Sequence, residues 1–154
     1  MLGVTGAMAV GLCEMACIHG KPAEPVTEAR HELRMRRNQC LLLAERDAAV
    51  VDALFGADPP DNLDRLHVMS LTVPMAIAEV AMLIYDHAVE LQELIDGPIV
   101  ADIEAGQGVA VAVSRAALGM VLTNRGAATA TCVDSHIDNR IQELQQRLSK
   151  ATRC

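Results

Sequence analysis

Aromatic side chains are nearly missing from this chain: one Phe, one Tyr and no Trp among 154 residues. Single-stranded nucleic acid is held by bases stacked on such rings, so a stacking platform is nearly excluded. An excess of positive charge is missing too. The 13 Lys and Arg stand against 20 Asp and Glu, for a formal net charge of −7. Phosphate backbones are bound through basic patches, so a nucleic-acid partner is not expected. The densest basic stretch is Arg34, Arg36 and Arg37, and no aromatic residue lies near it. The five Cys are odd in number and show no Cys-x-x-Cys spacing. That argues against a disulfide scaffold and for a reducing compartment.

Two stretches, 1–18 and 105–122, are apolar enough to raise the question of a membrane. The first has no basic start and carries Glu14. The second carries Arg115 at its middle and is built from Ala, Val and Gly rather than Leu. A charge at a bilayer centre costs about 3 kcal/mol or more. Both are therefore expected to be buried helices of a soluble protein, with no membrane partner.

Apolar residues make up 51% of the chain, enough for a core, and the length suits one domain over 1–154. Helix breakers fall at 19–25, 56–62, 96–98 and 123–134. They separate five segments, each long enough for a helix. None alternates as a strand would. The expected fold class is all-α, an up-and-down bundle of about five helices.

Three segments are amphipathic. The third carries Leu66, Met69, Val73, Ile77, Val80, Ile84, Leu91 and Ile95 on one stripe. Pro74 lies inside it and predicts a kink. The fifth carries Val133, Ile137, Ile141, Leu144 and Leu148, and Ser135 with Asp138 resembles a capping box. The second runs from about Thr27 to Phe55. The first (about 1–18) and fourth (about 102–123) are apolar nearly all round and rich in Gly and Ala. Such helices belong in the middle of a bundle or at a subunit interface. Close packing should offset the cost of their glycines, up to about 1 kcal/mol each against Ala.

The candidate functional residues are charges where the pattern calls for carbon. Leu33, Cys40, Asp47 and Leu54 are spaced by seven. Seven residues bring a helix almost back to the same direction, so Asp47 points with the apolar stripe. Burial raises a carboxylate's pKa toward the range of general acid–base chemistry. The structural alternatives are an ion pair with an Arg from another helix, or a place at the stripe's wet edge. Asp102 opens the fourth helix, as an N-cap or as one wall of a ligand site. Arg115 needs an anion: Asp47, Glu14, Asp102 or a ligand carboxylate. Glu14 has the same ambiguity. Cys13 and Cys17 have no further ligands placed by spacing and read as small apolar residues. The histidines form no ligand or triad arrangement, and no metal site is expected.

Four segments together resemble the cyclodeaminase/cyclohydrolase family. That family includes the C-terminal domain of formiminotransferase-cyclodeaminase and stand-alone bacterial methenyltetrahydrofolate cyclohydrolases. Gly6-Ala-Met-Ala-Val-Gly-Leu-Cys-Glu-Met15, with Gly20-Lys21 after it, is similar to the family's small-residue first helix. Leu43-Ala-Glu-Arg-Asp-Ala-Ala-Val-Val51 resembles its Leu-x-x-x-Asp-Ala-x-Ala-Phe segment. Val73-Pro-Met-Ala-Ile-Ala-Glu79 resembles its Val-Pro-Leu-x-x-Ala-Glu. Asp102, Arg115 and Asn124 are spaced like its Ser-Asp, an Arg of some members, and the last Asn of Asn-Val-x-x-Asn. Val51 stands where the family has Phe, and Met120 where it has the first Asn of that stretch. The family's Pro-Gly-Gly-Gly segment is absent, so the domain is expected to be truncated at its N-terminus.

The resemblance implies an all-helical, cytoplasmic homo-oligomer acting on tetrahydrofolate derivatives, without metal or other cofactor. The implied reaction is hydrolysis of 5,10-methenyltetrahydrofolate to 10-formyltetrahydrofolate, or cyclodeamination of 5-formiminotetrahydrofolate. It makes Asp47 the catalytic residue, and Asp102, Arg115 and Asn124 substrate contacts. The alternative is a non-catalytic helical oligomer of the same family with an eroded folate site.

Overall fold

A computed structural model of the chain describes residues 1–19, 24–56, 62–127 and 135–152. They form five helices: α1 (Leu2–His19), α2 (Glu24–Phe55), α3 (Leu63–Leu94), α4 (Val100–Ala127) and α5 (Ser135–Ala151). Among the described residues there is no strand. The second helix starts earlier than its apolar stripe suggests, because Glu24 and Pro25 both suit a first turn. The fourth runs about one turn past the expected break at Thr123.

Contacts between named residues set the directions of the helices. Gly3 of α1 meets Cys40 and Ala44 of α2, while Gly106 of α4 meets Ala9 and Cys13 of α1. Asn124 of α4 reaches Ser70 of α3, and Gln107 reaches Gln92. In each pair low numbers meet high numbers, so neighbours run antiparallel. The first four helices close a ring, α1–α2–α3–α4, and α5 lies along the α3–α4 side.

Small residues close this ring. A Cβ at Gly3 would lie 2.5 Å from the Cys40 carbonyl oxygen, and one at Gly106 would lie 2.6 Å from Cys13 Sγ. Cys13, Cys17 and Cys40 are buried and unpaired, as expected of small apolar residues. Burial pushes their thiols up, to about 12 for Cys13 and about 11 for Cys40. Of the third helix's stripe Val73, Ile77, Ile84, Leu91 and Ile95 are buried and Leu66, Met69 and Val80 half-buried, while Leu71, Met75 and Met82 beside the stripe are buried as well. Each such buried side chain contributes roughly 1.5–3 kcal/mol. Asn62 caps α3 by accepting from Arg65 N at 3.2 Å, and α3 continues through Pro74 as one helix. The α3–α4 turn uses Gly97 at φ +97, a conformation that favours glycine.

The fifth helix docks through carbon and charge. Ile137, Ile141, Leu144 and Leu148 are buried, and Val133 lies outside the described residues. Arg140 clasps Glu79 with two bonds of 2.7 and 2.6 Å, and Arg147 meets Asp86 at 2.5 Å. Both acids and both arginines are seven residues apart, so two parallel helices stay in register. Of the suggested capping box, Asp138 instead meets Arg125 of α4 at 2.7 Å. The Ser135 side chain is outside the described residues.

The first and fourth helices each bury one face and leave the other open. On α1 the open side is a heptad seam: Met1, Val4, Met8, Gly11, Met15 and Ile18, with Met8 64% exposed. On α4 it is a seam of small residues, including Ala101, Ala105, Gly108, Ala112 and Gly119. A Cβ at Gly11, Gly108 or Gly119 would meet nothing within 4 Å. By length and composition alone α1, α3 and α4 would each span a membrane. The shares of those spans buried in the fold are 44%, 50% and 39%.

Candidate active site

A cavity of about 430 Å³ opens between α2, α3 and α4, at the end of the bundle where α2 finishes and α3 begins. Its walls are Val50, Val51, Leu54, Phe55, Leu63 and Met120. Its polar groups are Asp47, His67, Ser70 and Asn124. A concave apolar site with a few convergent polar groups is the usual form of a small-molecule pocket.

Asp47 reaches the cavity because the α2 stripe turns toward α3. Leu33, Cys40, Leu43 and Val50 on that stripe are buried, whereas Asp47 is half-buried. Among the described residues its carboxylate makes no hydrogen bond or ion pair. Of the structural alternatives raised by its spacing, the arginine partner is therefore absent among the described residues. Asp47 sits at the stripe's open edge, facing the cavity.

Asn124 is held from behind. Its Nδ2 donates to the backbone oxygen of Ser70 at 2.8 Å. That oxygen is the one a helical N–H at position 74 would bond, and position 74 is proline. Ser70 Oγ in turn donates to the His67 carbonyl oxygen at 2.8 Å. One wall of the cavity is thus tied together, in part through the one carbonyl that Pro74 leaves available.

Asp102 and Arg115 are elsewhere. Asp102 is 22 residues from Asn124 on one helix, about 33 Å along its axis. It does not cap α4. The helix begins at Val100, and the Asp102 N–H already donates to Ile99 O at 3.1 Å. Its charge lies in the first turn, where the helix dipole favours an acid. Among the described residues the anion expected for Arg115 is absent too. Arg115 is exposed and donates to Thr152 Oγ1 at 2.9 Å. Solvent on the open side of α4 removes the need for an ion pair. Glu14 is the charge that is buried and paired: it accepts from Arg34 Nε at 3.0 Å and Arg37 Nη1 at 2.6 Å.

So Asp47 and Asn124 share a cavity, and Asp102 and Arg115 do not join them within one chain. His67 and Ser70 complete the polar set. Neither carries a sequence signal, because a lone His and a lone Ser on a helix have no diagnostic spacing. Val51 and Met120, two of the departures from the family pattern, both line this cavity. The sequence profile of the formiminotransferase-cyclodeaminase family matches residues 1–143. The chain belongs to that family. Its fold is similar to the crystal structure of formiminotetrahydrofolate cyclodeaminase from Thermotoga maritima, with a TM-score of 0.85. The two chains are 17% identical, and the match covers 97% of this chain and 80% of that one. The same architecture thus persists at an identity too low to carry the chemistry with it. No curated protein matches the chain.

Proposed function

We propose that this chain is a cytoplasmic folate one-carbon enzyme that hydrolyses 5,10-methenyltetrahydrofolate to 10-formyltetrahydrofolate. The observation that carries this reading is Asp47. It is a carboxylate with no partner among the described residues, at the edge of an apolar cavity, and the sequence resemblance implies that it is the family's catalytic acid.

The substrate carries a delocalised cation on the carbon bridging N5 and N10. A fixed carboxylate in an apolar surround stabilises such charge. As water adds to that carbon, Asp47 takes one of its protons, and the C–O bond forms. The carbinolamine then collapses to the formyl group. The C–N5 bond breaks, N5 gains a proton, and the hydroxyl proton leaves. His67, in the same cavity, is the group we assign to protonate N5 and to recover the hydroxyl proton. Asp47 then releases its proton to water, so the net change is one water consumed and one proton released. No metal or other cofactor is required by this scheme.

Cyclodeamination is the second reading, favoured by membership of the formiminotransferase-cyclodeaminase family. There the formimino group enters protonated, as an amidinium: N10 attacks its carbon, Asp47 takes the N10 proton, and the C–N bond to the formimino NH2 breaks as that nitrogen takes a proton from His67 and leaves as ammonia.

We further propose that the chain acts as a homo-oligomer. The open apolar seams of α1 and α4 support a covering by further copies. Asp102 and Arg115, as folate contacts, would then serve the cavity of another subunit.

The test is the loss of methenyltetrahydrofolate absorbance against the uncatalysed rate, with formation of the same chromophore from 5-formiminotetrahydrofolate as the second assay. Purified protein should accelerate one of them. In that assay Asp47→Asn should lower turnover by roughly 100-fold or more, the usual loss on removing a general acid–base group. Its thermal stability should change little, since no ion pair is broken. Silence in both assays would make the chain a non-catalytic member of the family.

A further inference from the structure

We propose that Pro74 is a positioning residue of the cavity, acting through the Ser70 carbonyl to set the direction of the Asn124 amide. In an uninterrupted α-helix the N–H of residue 74 would donate to the carbonyl of residue 70. Proline has no N–H, and its ring crowds that carbonyl, tilting it away from the helix axis. Pro74 is buried and Ser70 half-buried, so the carbonyl needs another donor. Asn124 supplies it, at 2.8 Å from the neighbouring helix.

The consequence lies in the chemistry of the side-chain amide. An amide has a donor end and an acceptor end. Committing one Nδ2 hydrogen to α3 fixes the amide plane and leaves Oδ1, beside the second N–H, to the cavity that Asn124 lines. The wall therefore presents a hydrogen-bond acceptor to a ligand N–H, fixed before the ligand arrives. A residue other than proline at 74 would return the Ser70 carbonyl to its own helix and release the Asn124 amide to turn. This explains why a helix-breaking residue occupies the buried middle of a long helix. The identity of the ligand rests on the folate reading; the Pro74–Asn124 relation does not.

Two measurements on full-length protein test it. The first needs no ligand: solvent exchange of the Asn124 side-chain NH2, followed by NMR. It should be slow in the wild type and at least about tenfold faster in Pro74→Ala. Pro74→Ser also restores the N–H and is the second variant, with circular dichroism establishing that each is folded. The second measurement is steady-state kinetics with 5,10-methenyltetrahydrofolate. Pro74→Ala should raise KM roughly tenfold, the loss expected of one hydrogen bond, with kcat within about twofold. Asn124→Ala should give a similar rise, and the double variant should add nothing to it. Unchanged exchange in both folded Pro74 variants, or additive effects on KM, would overturn the proposal. Wild-type protein that shows the exchange contrast but turns over no folate would sink the folate reading while supporting the positioning role.

Discussion

Glu14 of α1 and Arg37 of α2 meet at 2.6 Å, and Arg34 holds the second carboxylate oxygen at 3.0 Å. The acid is 9% exposed, whereas the guanidinium side chains of Arg37 and Arg34 are 40% and 53% exposed. The pair therefore lies at the boundary of the core, buried on the acid's side only. Removing one member of a fully buried pair costs about 3–5 kcal/mol, and exposed pairs contribute about 1 or less. Glu14→Gln should fall between these, at about 1–3 kcal/mol of stability. Urea unfolding checks this; an unchanged midpoint would show that the two arginines are equally well served by water.

The thiols make stability depend on pH. Cys13 is pushed from 9.0 to about 12 and Cys40 from 9.0 to about 11, both by burial. The native state keeps these thiols protonated, while the unfolded chain ionises them near 9. Their contribution is therefore fully present below about pH 9 and is lost as pH rises toward 11 and 12. The melting temperature of the wild type should fall more steeply over that window than that of Cys13→Ala. Parallel curves for the two proteins would count against a sealed Cys13 thiol.

His67 carries a prediction that a scaffold role would not share. His67→Ala should lose about 100-fold in turnover if it moves the N5 proton. Added imidazole should restore part of that loss in the alanine variant and leave the wild type unaffected. A loss that imidazole cannot rescue, with substrate binding equally weakened, would make His67 a wall residue only.

The open seam of α1 should hold the subunits together. Met8 is 64% exposed at the middle of that seam, with Val4 and Gly11 beside it. Met8→Glu places a charge where a partner helix would pack and costs nothing within the chain. Sedimentation should show the wild type as an oligomer at micromolar concentration and the variant as a folded monomer. A monomeric wild type would refute the assembly.

Much of the fold was legible in the residues. The stripe of α3, the seam of α5 and the glycine-rich α1 and α4 each announce a helix by period and composition alone. Asp47 was legible for the same reason, since a spacing of seven is a statement about direction on one helix. The acid expected beside Arg115 is where that logic failed. Periodicity says which side of a helix a residue shares, and not whether that side is covered. Arg115 rides on an open face, so the charge expected to need an acid is hydrated and touches Thr152.

What the sequence by itself determined is the set of helices and their order, because both follow from local propensity and from apolar period along one chain. What only the tertiary structure decided is which faces meet. Pro74 and Asn124 are 50 positions apart, and no pattern in the chain links them. They are joined because α3 and α4 pack antiparallel with this register, bringing an amide to a carbonyl that a proline left without its donor. Glu14 found Arg34 and Arg37 by the same means. Hydrogen bonds and ion pairs of this kind depend on separations of about 3 Å, and distances on that scale between remote residues are set by packing.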